Sequence, residues 1–182
     1  NKKDKEGLSV YIGSDLNYAN ECIDQYKINH IDSKFWITYV GALGHSYDIK
    51  LIIDAIKNLN KKGISNIKFN VLGDGPLKNE FEKYAEKKDV DVYFPGMIKY
   101  PEMMGILSSS EAAVNPIVKK SVSSIINKVG DYASAGVPVI NTQNSDEYRN
   151  LLEENNAGIN CDTLNDVEDA IRLLYENSSI QK

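Results

Sequence analysis

The chain has 182 residues, 42% of them hydrophobic and 26% charged, which is enough to bury the core of one globular domain. Its net charge of −5 and the lack of a dense basic stripe argue against nucleic acid as a partner. Cys22 and Cys161 lie far apart, form no CxxC or zinc pattern, and fit a reducing compartment. No apolar run approaches the length of a membrane span.

Residues 1–34 are predicted to be an N-terminal arm or an interdomain connection. A short strand is expected over residues 8–12, and the polar stretch over residues 13–33 suits a linker more than a core element. The remaining residues, 35–182, are predicted to form a single Rossmann-like domain.

In that domain, short apolar runs alternate with segments of helical periodicity. The runs predict six strands, at residues 35–40, 66–72, 90–94, 112–116, 137–140 and 158–161. The helical segments fall at residues 47–60, 76–89, 102–108, 123–136, 146–154 and from Thr163 onward. This alternation predicts an α/β fold in which helices cover both faces of a parallel sheet of about six strands.

The helix before the fifth strand has the clearest boundaries. Ser123 or Ser124 is a suitable N-cap, and Gly136 can end the helix in a left-handed conformation. Lys128 and Asp131 are three residues apart and therefore share a face. This pair could bind a phosphate and a ribose, or it could be an exposed ion pair worth about 0.2–0.5 kcal/mol.

Glycines follow the first three strands, where ligands bind in folds of this class. They are Gly41 and Gly44, then Gly73 and Gly75, then Gly96. Glycine lets the backbone approach a ligand closely, and helix N-termini favour anions, so the set indicates a phosphate-bearing ligand. Each glycine alone could equally serve a tight turn. Neither the dinucleotide fingerprint nor a Walker loop is present.

Five segments in one order carry a family resemblance. They are YVGALG at residues 39–44, VLGDGP at 71–76, VYFPG at 92–96, AVNP at 113–116 and KVGDYASAGVPVI at 128–140. This order resembles the C-terminal, nucleotide-sugar-binding domain of GT-B glycosyltransferases, especially glycosyltransferase family four. The resemblance covers residue 35 to the C-terminus.

The resemblance implies a role for each matching residue. Asp131 stands where the family commonly has a glutamate that binds the ribose, and Lys128 would face the diphosphate. The Gly41 and Gly44 turn would lie under the diphosphate, and the base would be met at two residues after the third strand. The other residues of the implied donor site are the base-contacting pair Met97 and Ile98, together with Gly73, Ser123 and Ser124.

The chain also departs from the family pattern. Ser123 stands where many members have a first glutamate. Many members also carry an arginine and a lysine after the first strand, whereas Ala42 follows Gly41 here. His45 is an additional candidate for contact with phosphate or sugar, although an exposed loop histidine is the commoner explanation. No residue of the chain is assigned a catalytic role, and the resemblance implies neither a metal nor another cofactor.

The implied activity is transfer of a sugar from a nucleoside diphosphate sugar to an acceptor glycan or lipid-linked glycan, as in bacterial surface polysaccharide or glycoconjugate synthesis. A second domain would carry the acceptor site and any membrane contact, so these residues alone are expected to be inactive. The expected location is cytoplasmic, with the full-length protein peripheral to the membrane as one option. Two alternatives stay open: a nucleotide-sugar epimerase of the same fold, and a non-catalytic nucleotide-binding module.

Overall fold

The computed structural model describes residues 13–29, 32–118 and 128–180. Six parallel strands form one sheet in the order β3-β2-β1-β4-β5-β6. The strands are β1 (Phe35–Val40), β2 (Ile67–Leu72), β3 (Val92–Gly96), β4 (Ala112–Asn115), β5 (Val139–Asn141) and β6 (Gly158–Asn160). The predicted α/β fold with a six-stranded parallel sheet is confirmed. The expected strand over residues 8–12 lies outside the described residues.

The helices are α1 (Leu16–Tyr26), α2 (Ile49–Lys61), α3 (Lys78–Lys88), α4 (Tyr100–Ser108), α5 (Lys128–Ala135), α6 (Asp146–Glu154) and α7 (Leu164–Ile180). Two groups of buried apolar residues cover the two faces of the sheet. One group contains side chains of α2, α3 and α7, and the other contains side chains of α1, α4, α5 and α6. The three-layer arrangement is therefore confirmed.

Local sequence signals account for several helix boundaries. The Asp48 carboxylate accepts a hydrogen bond from the Leu51 N–H at 3.0 Å and caps α2. The Thr163 hydroxyl accepts from the Asp166 N–H while the Asp166 carboxylate accepts from the Thr163 N–H, which is a capping box with aspartate in place of glutamate. Gly136 has a φ of +66°, as predicted for the end of α5.

Two strands begin two residues later than predicted. Val90 was assigned to the third strand, but its N–H bonds back to the Ala85 carbonyl at the end of α3. Val137 was assigned to the fifth strand, but its N–H bonds to the Tyr132 carbonyl. In both cases the valine N–H closes the last turn of the preceding helix. The sequence pattern assigns the valine to the strand because apolar residues follow it.

The segment over residues 13–33, expected to resemble a linker, contains α1 instead. The Asp15 carboxylate caps this helix by accepting from the Tyr18 N–H at 3.1 Å. Ala19 and Cys22 are buried in the group of side chains shared with α4 and α5. The segment was misread because only two residues of a mainly polar helix are buried, which gives a weak periodic signal.

Candidate functional site

The strand order reverses between β1 and β4, and the carboxyl ends of the strands meet there at one edge. The loops after β1 and β2 pack against each other through their backbones. The Gly41 N–H donates to the Leu72 carbonyl at 2.9 Å, and the Leu43 N–H donates to the Asp74 carbonyl at 2.9 Å. These bonds fix the glycine turns at the edge where the strand order reverses.

Gly73 is explained by this packing alone. Its φ is +155°, and a β-carbon at this position would overlap the carbonyl oxygen of Gly41. Gly41 has a φ of +141°, and a β-carbon there would lie 2.5 Å from the Nζ of Lys128. The Gly41 backbone is thus the surface on which the Lys128 side chain lies.

The ammonium group of Lys128 is enclosed by aromatic rings. Its Nζ lies 4.2 Å from the ring centroid of Tyr39 and 4.0 Å from that of Tyr47. It also donates to the Tyr39 hydroxyl at 3.1 Å, and this hydroxyl donates to the Ala42 carbonyl at 2.7 Å. In the part of the chain that the structure describes, this cation forms no ion pair with a carboxylate.

Burial lowers the pKa of Lys128 to about 7. Removal from water penalises the charged form, and no neighbouring described carboxylate offsets that penalty. The ring faces recover part of the lost hydration through cation–π attraction. A lysine in this condition gains more from an incoming anion than an exposed lysine does.

Asp131 lies one turn along α5 and has a different partner. Its Oδ1 accepts a hydrogen bond from the Tyr100 hydroxyl at 3.3 Å. Burial raises the pKa of Asp131, and the hydrogen bond from Tyr100 opposes that rise. The alternative of a Lys128–Asp131 ion pair is not seen, because each side chain contacts its own tyrosine.

An apolar cavity of about 410 Å³ lies beside these groups. The residues that line it end or follow the first three strands or begin α4, and they include Gly41, Gly73, Met97, Ile98 and Tyr100. Met97 is 83% exposed, so its side chain projects into solvent. Four of the predicted donor-site residues therefore line one cavity, with Lys128 against its Gly41 edge and Asp131 hydrogen-bonded to its Tyr100 edge.

Gly44 and His45 lie on the turn before α2, where His45 is exposed. A β-carbon on Gly44 would meet nothing within 4 Å, so packing does not require glycine there. Ser123 and Ser124 lie outside the described residues, and their roles stay predictions. Among the residues that the structure describes, no group of three or more His, Cys, Asp or Glu side chains is placed to hold a metal ion. None of the described helices has the length and apolar character to cross a membrane.

The comparison with protein families decides the family. Residues 34–177 match the model of the family described as Glycosyl transferases group 1. The chain belongs to this family. A search of curated proteins found no match.

Solved structures of glycosyltransferases share the fold. The C-terminal domain of the group 1 protein LpcC from Francisella tularensis is 15% identical, with a TM-score of 0.66 over 92% of this chain and 90% of that one. WaaG, a glycosyltransferase involved in lipopolysaccharide biosynthesis, is 17% identical, with a TM-score of 0.66 over 93% of this chain and 44% of that one.

HepE from Anabaena, solved with UDP and glucose, is 14% identical, with a TM-score of 0.68 over 93% of this chain and 47% of that one. The chain therefore spans less than half the length of WaaG and HepE. The family match and these shared folds confirm the predicted resemblance to the C-terminal domain of GT-B glycosyltransferases.

Three tyrosines contact the charged residues of the candidate site. The sequence alone gives these residues no role, yet Tyr39 and Tyr47 enclose Lys128, and Tyr100 contacts Asp131. Tyr39 lies two residues before Gly41 and Tyr47 three residues after Gly44. Their positions beside the glycine turn were the available signal.

Proposed function

We propose that the chain is the donor-binding half of a glycosyltransferase that transfers a sugar from a nucleoside diphosphate sugar to an acceptor. One observation carries the proposal: the largely buried ammonium group of Lys128, which lies beside Gly41 at the carboxyl edge of the sheet and forms no ion pair with a described carboxylate. A buried cation without a counter-ion stabilises an anion that enters the site.

In this proposal the diphosphate lies over the Gly41–Gly44 turn and against Lys128. Negative charge grows on the diphosphate as the sugar departs, and a fixed cation stabilises that charge. The Asp131 carboxylate accepts hydrogen bonds from the ribose hydroxyls, and the base contacts Met97 and Ile98. Gly73 shapes the donor site through its packing on Gly41, and Ser123 and Ser124 complete the site. The proposal requires neither a metal nor a cofactor, because Lys128 supplies positive charge.

The acceptor is proposed to bind a second domain. Support comes from the coverage, because the match takes in 44% of WaaG and 47% of HepE. Without an acceptor domain, this chain should bind the donor but not transfer the sugar. We further propose a hexosyl or related transfer in bacterial surface polysaccharide or glycoconjugate synthesis, supported by the role of WaaG in lipopolysaccharide biosynthesis. The full-length protein would act in the cytoplasm, with the acceptor domain making any membrane contact.

The test is calorimetric titration of the chain with UDP, GDP and ADP and with the matching nucleosides. UDP comes first, since the HepE structure contains it. Lys128→Met keeps most of the length of the side chain and removes the charge, and it should weaken binding of the preferred diphosphate at least about tenfold. The same substitution should leave the affinity for the free nucleoside unchanged.

Lys68→Met is a matched control. Lys68 also lies over two aromatic rings, at 4.9 Å from Trp36 and 5.4 Å from Tyr93, but it is at the amino end of β2. The Lys68→Met variant should bind every nucleotide with the affinity of the wild type. Equal losses for diphosphate and nucleoside in Lys128→Met would refute the phosphate contact. Failure of the wild type to bind any of the three diphosphates would refute the proposed function.

A further inference from the structure

The carboxyl end of α1 is held against α4 by close backbone contacts. A β-carbon on Gly105 of α4 would overlap the carbonyl oxygen of Tyr26 and lie 2.7 Å from its carbonyl carbon. The Ser109 hydroxyl accepts from the Ile28 N–H at 2.8 Å and donates to the Gly105 carbonyl at 2.6 Å. Because these contacts involve backbone atoms, they fix the position of the carboxyl end of α1 on α4.

The amino end of α1 reaches the candidate donor site. The Tyr18 ring stacks on the Tyr100 ring with the centroids 5.6 Å apart and the planes 12° apart. The Tyr100 hydroxyl donates to Asp131, and Tyr100 also lines the cavity next to Gly41 and Gly73. Ser14, just before the helix, packs so closely on Gly130 that a β-carbon on Gly130 would overlap the Ser14 hydroxyl oxygen.

We propose that α1 belongs to the ribose end of the donor site, with Tyr18 as a positioning residue that holds Tyr100 and, through it, the Asp131 carboxylate. This inference rests on the proposed function. Tyr18 remains 48% exposed and reaches Asp131 only through Tyr100, so its effect on a nucleotide is transmitted through Tyr100.

The geometry explains why Asp131 needs this support. Its hydrogen bond from Tyr100 is long, at 3.3 Å, and a long bond restrains a carboxylate weakly. The bond stays in place only while the Tyr100 ring is fixed, and offset stacking against Tyr18 fixes one face of that ring. A carboxylate held in one orientation loses less conformational entropy when it binds both hydroxyls of a ribose.

Calorimetry with UDP and 2′,3′-dideoxy-UDP separates this role from a general loss of structure. Tyr18→Ala removes the stacked ring and should weaken UDP about fivefold while changing the dideoxy analogue less than about twofold. Tyr18→Phe keeps the ring and should bind both as the wild type does. Equal losses for the two nucleotides, or no loss for either, would overturn the inference.

A second measurement needs no ligand and so remains informative if the proposed function fails. Nuclear Overhauser contacts between the Tyr100 ring protons and the Asp131 β-protons should be present in the wild type and in Tyr18→Phe. They should be lost in Tyr18→Ala. If they persist in Tyr18→Ala, Tyr18 does not position Asp131, whatever the nucleotide affinities are.

Gly105→Ala tests the same inference from the far end of α1. Its added methyl group displaces the helix near Tyr26 and touches no donor-site residue. We expect a selective loss of UDP affinity like that of Tyr18→Ala. Gly13→Ala is the matched control, because a β-carbon there meets nothing within 4 Å. Equal UDP affinities for these two variants would show that the placement of α1 does not affect the site.

Discussion

The Nζ atom of Lys128 lies 3.1 Å from the hydroxyl oxygen of Tyr39, whose ring face it also covers at 4.2 Å from the centroid. Tyr39 is on β1 and Lys128 is on α5, 89 residues later in the chain. This contact joins the loop after β1 to the helix that also carries Asp131. Among the described residues, neutral groups hold this cation at the site, which leaves its charge available to a ligand.

The first prediction concerns the stability of the ligand-free chain. Lys128→Met should raise the melting temperature at pH 6–7, because a charged amine no longer has to be buried. The unfolded chain binds this proton up to pH about 10.5. The folded chain releases it at about 7, so the penalty in the wild type shrinks as the pH rises between these values.

Thermal melts of both proteins between pH 6 and pH 10 check this sign. The advantage of Lys128→Met should be largest at pH 6 and should decrease steadily toward pH 10. An advantage that grows with pH, or a constant difference, would mean that Lys128 is not buried in a costly charged form.

The second prediction is proton uptake on binding. A diphosphate next to Lys128 favours the ammonium form, so the site should bind a proton together with the ligand when the pH exceeds about 7. At pH 8 the uptake should be most of a proton per site, because a lysine with a pKa of about 7 is then mostly neutral. Calorimetry in buffers of different ionisation enthalpy measures the number directly. Lys128→Met should show no uptake, and a wild type without uptake would contradict the phosphate contact.

The sequence predicted the sheet well because its signals are local. Ile49, Ile52 and Ile56 repeat at helical spacing and are buried in α2, and β1 is a continuous aromatic and β-branched run. The helix α1 is not predicted, because its packing depends on residues far along the chain. Contacts with distant residues, such as Gly105 and Tyr100 of α4, show why residues 16–26 pack there, and no local pattern contains that information.

The sequence named glycines and charged residues of the candidate site but gave no role to its aromatic residues, and the donor-binding roles stay predictions. Family resemblance indicated Gly41, Lys128 and Asp131, and the structure places Lys128 against the Gly41 backbone. The tyrosines that contact these charges come from β1, α4 and the turn before α2. A tyrosine on a strand packs in the core more often than it contacts a cation, so sequence alone favoured the commoner role.

The third prediction separates a packing glycine from a ligand-contacting one. Gly73→Ala should strongly destabilise the chain, because its methyl group would overlap the Gly41 carbonyl and its φ disfavours alanine. Gly44→Ala should leave the melting temperature within about 2 °C, since a β-carbon there has open space. If the diphosphate lies over this turn, Gly44→Ala should nevertheless weaken UDP. Unchanged UDP affinity in Gly44→Ala would remove Gly44 from the donor site.

The last prediction concerns Asp131. A carboxylate can accept hydrogen bonds from both hydroxyls of a ribose, and each bond to a charged acceptor is worth about 1.5–3 kcal/mol. Asp131→Asn keeps the size, removes the charge and retains one acceptor oxygen, and the Tyr100 hydroxyl can still donate to that oxygen. The substitution should weaken a ribonucleoside diphosphate about tenfold, which corresponds to about 1.4 kcal/mol.

A four-way calorimetric comparison, of two proteins against two nucleotides, checks the ribose role. The 2′,3′-dideoxy analogue has no diol, so Asp131→Asn should change its affinity little. A loss shared by both nucleotides would mean that Asp131 acts on something other than the ribose, since the diol is the only difference between the ligands. Its hydrogen bond to Tyr100 would then be a packing feature of α4 and α5, and the ribose contact would have to come from another residue of the cleft.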